Sequence, residues 1–224
     1  MSLTESLVRR VRDSSRLVAS VAEFYLHGAV LHPWGSRYWA WRYQKNDPWS
    51  YASSPYERIK YERTMAVLPK APTPDGIHEQ ALEVGCSEGV FTDMLARSGR
   101  VKKVVGVDVA AAAIDRARER CAGLSNIELL HGDVRGVPLS APFSLVLCAE
   151  TLSHMGSWAN LRSMADTLVE RLSVGGSLVL VDSYPKARFL HRPFRTHRKL
   201  SLIETQVYED PFRPYMISVL SRRP

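Results

Sequence analysis

The chain has 224 residues, 45% of them hydrophobic and 24% charged, with a formal net charge of +7. These proportions exclude a disordered chain and a membrane bundle, and the length allows one sizeable core with a small appendage. Three cysteines, Cys86, Cys121 and Cys148, come without a CxxC pair or a histidine cluster, which argues against a disulfide scaffold or a structural metal and for a reducing cytoplasm.

Residues 5 to about 30 space Leu7, Val11, Val18, Val21, Ala22 and Tyr25 as an amphipathic helix that packs on the main body. Glu23 and His27 interrupt its apolar run and no small-residue cleavage site follows, so a secretory signal is not expected. A stretch rich in Trp and Tyr comes next and ends in a helical pattern from Tyr56 to Leu68, and Pro69 to Gly76 reads as a linker. This divides the chain into an N-terminal helical extension with an aromatic lid, 1–76, and a core, 77–224.

From Glu79 the pattern becomes regular. Strands are predicted at 80–84, 103–107, 126–130, 143–149 and 176–182, with helices near 89–98, 110–122 and 157–173, and Gly175-Gly176 in the last helix-to-strand turn. Such alternation predicts βαβ units and a parallel sheet covered on both faces. Two final period-2 segments, "KLSLIETQVYED" and "YMISVLSRR", joined by "PFRP", predict an antiparallel hairpin at one edge. The fold class is therefore α/β, a Rossmann-like mixed sheet flanked by helices. From Pro185 onward nine Lys or Arg stand against three acids. That excess is either a solvated edge or a polyanion site, and no nucleic-acid module signature accompanies it.

The stretch "ALEVGCSEGVFTDMLARSG" is a strand that breaks on Gly85, turns, and becomes a helix. Such a turn leaves helix N-terminal N–H groups open to a polar ligand, with Gly85 and Gly89 allowing close approach. Asp108, at the end of the second strand, suits a ribose diol, and Val109 beside it suits a purine face. Asp133 and the backbone N–H of Val134, after the third strand, suit an adenine edge. An adenosine-containing cofactor accounts for all three. The turn lacks Gly-x-Gly-x-x-Gly and carries Glu88, which would repel a phosphate, and Glu83 likewise suits a cation. The sulfonium and α-ammonium of S-adenosylmethionine fit better than a dinucleotide.

Taken in order, "LEVGCSEGVFTDMLA", "VVGVDVAAAAIDRAR", "HGDV" and "FSLVLCAETLSHM" resemble the motifs of class I S-adenosylmethionine-dependent methyltransferases. The upstream "NDPWSYASSPYERIKYERTMAVLP" resembles the nodulation protein S family, so the likeness runs from about Asp47 to Ser183. It implies a seven-stranded sheet ending in the antiparallel hairpin. It also implies methyl transfer to an amino or hydroxyl group of a small, sugar-containing acceptor, with S-adenosylhomocysteine as product. Trp49, Tyr51 and Tyr56 would bracket the cofactor, and Lys60 or Arg58 would pair with its carboxylate. Cys86 and Ala149 complete the expected cofactor-binding set, Cys86 mainly by packing.

Glu150 and His154 follow the fourth strand at an i, i+4 spacing. His154 is the expected base and Glu150 a cofactor or acceptor contact, against the plainer reading of a helix-start carboxylate and a surface histidine. Tyr184, His191 and His197 form a second candidate acceptor surface. Ser87 and Ser144 depart from the common pattern, and Ser153 and His154 stand where the nodulation enzymes tend to have tyrosines. An RNA methyltransferase using the basic C-terminal region, or a non-catalytic adenosylmethionine-binding protein, are the alternatives. Neither a membrane nor a metal is expected, and a homodimer is compatible with the reading.

Overall fold

The computed structural model describes residues 3–31, 36–140, 142–210 and 213–224. Three helices lead the chain: α1 (Leu3–Leu31), α2 (Ser36–Arg42) and α3 (Pro55–Ala66). The alternating part follows as β1 (His78–Val84), α4 (Val90–Arg97), β2 (Val101–Asp108), α5 (Ala111–Cys121), β3 (Ile127–His131), β4 (Phe143–Ala149), α6 (Trp158–Arg171) and β5 (Leu172–Ser183). Two short helices, α7 (Ala187–Leu190) and α8 (Arg192–Arg195), precede the hairpin of β6 (Leu200–Tyr208) and β7 (Tyr215–Arg222).

The seven strands form one sheet in the order β3-β2-β1-β4-β5-β7-β6. β1 through β5 pair in parallel, and β7 pairs antiparallel with both β5 and β6. Chain connections leave β1 toward β2 on one side and reach β4 on the other, so a crevice opens at the carboxyl ends of β1 and β4. The hairpin forms as its period-2 pattern predicts, though Pro211 and Phe212 of its turn lie outside the described residues.

Both faces of the sheet are buried, which is why its strands read as near-continuous apolar runs rather than alternating ones. One face carries Leu82, Val84, Val146 and Leu180 against Leu161, Ala165 and Leu168 of α6. On the other, Ala81, Val104, Leu147 and Val179 meet Phe91, Leu95 and Ala96 of α4.

Several local readings differ from the sequence pattern. The Gly175-Gly176 pair sits inside β5 rather than before it, because a register shift between β4 and β5 lets the strand start at Leu172. The segment Pro69 to Gly76 is no loose linker: Ala71 is buried and donates to the Gly76 carbonyl, and the Pro69 carbonyl accepts from Nε2 of buried His78. Ser144 lies at the opposite end of β4 from the crevice, its hydroxyl 3.1 Å from Nδ1 of His78. Its role there is structural.

Helix α1 forms, but on a different face from the one its apolar spacing suggested. Val18 is 70% exposed and Tyr25 is also exposed, whereas Phe24 and Gly28 are buried. The side chains of Leu7 and Val11 lie outside the described residues. What decides the face is a backbone contact: a Cβ on Gly28 would lie 2.2 Å from the Gly156 carbonyl oxygen, and one on Gly156 would lie 2.4 Å from the Gly28 Cα. Lys186 to Glu23 (2.8 Å) and the Tyr184 hydroxyl to Asp13 (3.3 Å) fasten the same helix to the segment after β5.

The contact makes a prediction. Gly28→Ala forces a methyl group into backbone and should cost about 1–3 kcal/mol in urea unfolding, with faster proteolysis of α1. Gly123→Ala, where a Cβ meets nothing, should change neither.

Candidate active site

The turn after β1 is held by its neighbours on β2. The N–H groups of Gly85 and Cys86 both donate to the Val107 carbonyl, at 2.8 and 3.1 Å. Ser87 adopts a left-handed backbone at φ 50, an unfavourable choice for a residue with a side chain. Two hydrogen bonds offset that strain: its N–H donates to Asp108 Oδ2 at 2.8 Å, and its hydroxyl pairs with Tyr43 at 2.7 Å. The other Asp108 oxygen accepts from the Ala110 N–H at 2.9 Å. Asp108 is buried, and desolvation raises its pKa despite both N–H donors.

A cavity of about 450 Å³ opens beside this turn. Its first end is lined by Gly85, Asp108, Val109, Asp133 and Val134. Asp133 is gripped by the guanidinium of Arg135, which was absent from the sequence reading, and that pairing lowers its pKa. At the middle stand Ala149 and Glu150, the latter with a left-handed backbone (φ 54) whose N–H donates to the Val181 carbonyl. The far end is walled by Tyr38, Trp39, Trp49, Met155, Met164 and the pair His27 and His154. Trp39 meets the His154 ring edge-on with centroids 4.8 Å apart, and the Arg42 guanidinium lies 4.0 Å over Trp49. Burial, followed by His27 and Lys186, pushes the His154 pKa down to about 3, so the ring is neutral near pH 7.

A small recess branches beneath Glu150 and is lined by Tyr51, Lys60, Glu83, Cys86 and Glu88. Here Lys60, 2% exposed, is shared between Glu57 at 2.7 Å and Glu150 at 3.0 Å, and Arg213 from the hairpin joins Glu57. Two carboxylates and two cations thus alternate through the wall. Lys60 faces its ionic partners within the chain rather than standing free for a ligand carboxylate. Glu88, read from sequence as a repelling charge, is balanced by Arg116 at 2.7 Å and also accepts the Asp47 N–H. Glu83 is buried at the recess wall, takes a hydrogen bond from Thr92, and is pushed up to about 8 by desolvation. The shift favours the protonated form toward neutral pH, which weakens the negative charge expected of this residue.

Of the sequence-predicted residues, Trp49, Gly85, Asp108, Val109, Asp133, Val134, Ala149, Glu150 and His154 share the cavity, and Lys60, Glu83 and Cys86 line the recess. Gly89 and Tyr56 line neither. A Cβ on Gly89 would meet Ala117 and Cys121, so this glycine lets α5 approach α4, and the Tyr56 hydroxyl donates to the Arg213 carbonyl. Cys86 packs on Gly106 and its thiol is raised by burial. Arg58 is exposed beside Glu62. His191 is buried between Ser218 and Asp182, His197 pairs with Asp166, and Tyr184 with Asp13, so the second acceptor surface is not part of the cavity. His27, Tyr38 and Trp39 were not assigned to the site because they precede the motifs, although the aromatic density of the lid segment pointed toward Tyr38 and Trp39. Among the described residues, no cluster of His, Cys, Asp or Glu could hold a metal.

Two measurements test this electrostatic picture. Between pH 4.5 and about 8 folded Glu83 keeps a proton that the unfolded chain releases, so native stability falls as pH rises through that window, by at most about 1.4 kcal/mol per unit. Glu83→Gln should flatten this slope in urea melts at pH 5, 6 and 7. Lys60→Met leaves Glu150 and Glu57 without their shared ammonium and should cost about 3–5 kcal/mol in the same melts. A loss below about 1 kcal/mol would contradict a charge-bearing wall.

Comparison with known proteins gives these features a context. The family model described as nodulation protein S (NodS) matches residues 41–187. Nodulation protein S of Rhizobium tropici is 34% identical over 134 residues, covering 60% of this chain and 54% of that protein. The mitochondrial ubiquinone biosynthesis O-methyltransferase of Schizosaccharomyces pombe is 32% identical over 107 residues, covering 46% and 37%. The matches to the three nodulation relatives span only 54%, 59% and 61% of their lengths. A crystal structure of the N-methyltransferase NodS from Bradyrhizobium japonicum WM9, in complex with S-adenosyl-L-homocysteine, superposes with a TM-score of 0.71. It covers 85% of this chain and 99% of its own at 21% identity, a likeness of fold: the class I methyltransferase sheet. The turn after β1, Asp108, Asp133 and Glu150 all lie inside the span of the family model, and by that match the chain belongs to the nodulation protein S family.

Proposed function

We propose that this chain is an S-adenosylmethionine-dependent methyltransferase acting on a nitrogen or oxygen of a small, sugar-containing metabolite. The observation that carries the reading is the continuity of one cavity: the carboxyl ends of β1, β2 and β3 bound one end, Glu150 lines its middle, and a neutral histidine, His154, bounds the other end. The nitrogen acceptor is supported by the description of the Bradyrhizobium relative as an N-methyltransferase.

The residues present suit adenosylmethionine. Each Asp108 oxygen takes one backbone N–H and keeps a lone pair for a ribose hydroxyl. Val109 is 37% exposed and offers an apolar surface to the purine. Asp133 reaches the adenine amino group once its ion pair with Arg135 loosens. No cradle of backbone N–H groups for a pyrophosphate is needed, since Glu88 occupies the recess instead.

When bound, the cofactor supplies a methyl group on a positively charged sulfur that leaves with the bonding electrons. The chain's part is alignment and proton removal. Trp39, Trp49 and Tyr38 exclude water around the acceptor, Glu150 orients it, and His154 receives its proton at Nε2. The partly buried His154 is unprotonated near pH 7, as a base must be, and the desolvation that keeps it so also makes it a weak base whose imidazolium needs a stabilising neighbour when the proton arrives. The exposed cations Arg188, Arg192, Arg195, Arg198 and Lys199 do not line the cavity, so this reading gives them solubility rather than RNA binding.

Calorimetry with S-adenosylhomocysteine should register binding, and Asp108→Ala should weaken it ten- to a hundredfold. With labelled adenosylmethionine and metabolite pools, His154→Ala should lose about 10²–10⁴ in methyl transfer while keeping the product affinity. Absence of heat at millimolar ligand refutes the cofactor assignment; undiminished transfer by His154→Ala refutes the base.

A further inference from the structure

The far wall of the cavity holds a second histidine from outside the strand-and-helix alternation. Nε2 of His27, on α1, lies 3.2 Å from Nδ1 of His154, with ring centroids 5.3 Å apart at 48°. Both rings line the cavity. The approach is built into the backbone, because Gly28 follows His27 directly, Gly156 stands two residues after His154, and these two glycines are in backbone contact. Phe24, buried one turn earlier, anchors the same helix in the main core.

A hydrogen bond between two imidazoles needs one donor and one acceptor, so it fixes the tautomer of both. If Nδ1 of His154 carries the proton, its Nε2 is a bare lone pair. If His27 donates instead, the His154 proton sits on Nε2 and the ring cannot serve as a base. Among the described residues nothing else bonds to Nε2 of His154, so His27 alone sets its state.

We propose that His27 is a positioning residue: its Nε2 accepts the Nδ1–H of His154 and holds that ring with Nε2 bare toward the acceptor. This rests on the methyltransferase reading for its purpose and for the direction of the hydrogen bond, whereas the approach of the two rings stands on the geometry alone. The acceptor's proton would pass to Nε2 of His154 as the acceptor's lone pair forms the new bond to the methyl carbon and the carbon–sulfur bond breaks with its electron pair on sulfur, and the resulting imidazolium is stabilised through Nδ1–H by neutral His27. The role matches that of the orienting group in a nucleophile–base–orienter triad, filled here by an uncharged ring. The charged groups near the pair are Glu23 on α1 and Lys186 before α7, which are ion-paired to one another at 2.8 Å. Both histidines are held neutral by their surroundings, and two imidazolium rings at this distance would repel, so the pair carries at most one positive charge.

Imidazole ¹⁵N spectra of the full chain at pH 7.5 test the assignment without turnover. Wild type should show His154 as the Nδ1–H tautomer. His27→Leu should move it to a mixture or to the Nε2–H form, and His27→Gln, whose amide oxygen also accepts, should restore it. Diethyl pyrocarbonate, which acylates a bare imidazole nitrogen, should modify His154 at least about threefold faster in wild type than in His27→Leu. Finding the proton on Nε2 in wild type overturns the proposal even if no variant folds, as does an unchanged tautomer in His27→Leu. Calorimetry with S-adenosylhomocysteine on the same samples separates the two readings. Lost binding in wild type defeats the methyltransferase assignment, whereas preserved binding with the wrong tautomer defeats only the role of His27.

Discussion

The carboxylate of Asp108 is the constraint on which the site depends. It ends β2, yet it determines the shape of the turn after β1 by accepting the N–H of Ser87, and it starts α5 by accepting the N–H of Ala110. One side chain therefore ties together two strand ends and a helix start. Without it Ser87 has less reason to remain left-handed, and Tyr43 would lose the hydroxyl that anchors the N-terminal segment over the sheet. A buried anion that organises so much backbone is held in place before any ligand arrives, which is how a binding surface is preorganised.

Charge is distributed through the rest of the cleft in neutralised units. Glu88 has Arg116, Asp133 has Arg135, and the chain Arg213, Glu57, Lys60, Glu150 alternates in sign from the hairpin to the cavity wall. Buried ions are tolerated when each is paired and hydrogen-bonded. Apart from Asp108, which takes only backbone N–H donors, the cleft is therefore polar with its charges paired. The hairpin gains a purpose as well, since Arg213 connects it to the wall of the site.

Much of this was legible in the sequence. Strand and helix periods located the sheet because burial on both faces leaves unbroken apolar runs, and Asp108, Asp133, Glu150 and His154 drew attention because they sit at or shortly after strand ends where the pattern breaks. The misreadings have physical causes. The face of α1 was misassigned because an apolar count cannot see that a glycine-to-glycine contact seats the helix. Glu83 and Glu88 looked alike as acids, but one is enclosed without a cation and the other meets Arg116 across 28 residues of sequence. His191 had the composition of a site residue and the environment of a core one, closed between Ser218 and Asp182.

The meeting of Gly28 with Gly156 also limits how the N-terminal helix can move. A screw shift of one residue in either direction would bring His27 or Ala29, both bearing side chains, onto a backbone that admits none. Its longitudinal setting is consequently discrete: the helix is either seated in this notch or lifted off altogether. The dimensions of the far compartment are then fixed by main-chain atoms, and exchanging aromatic side chains along that wall can retune which molecules fit without disturbing where the wall stands.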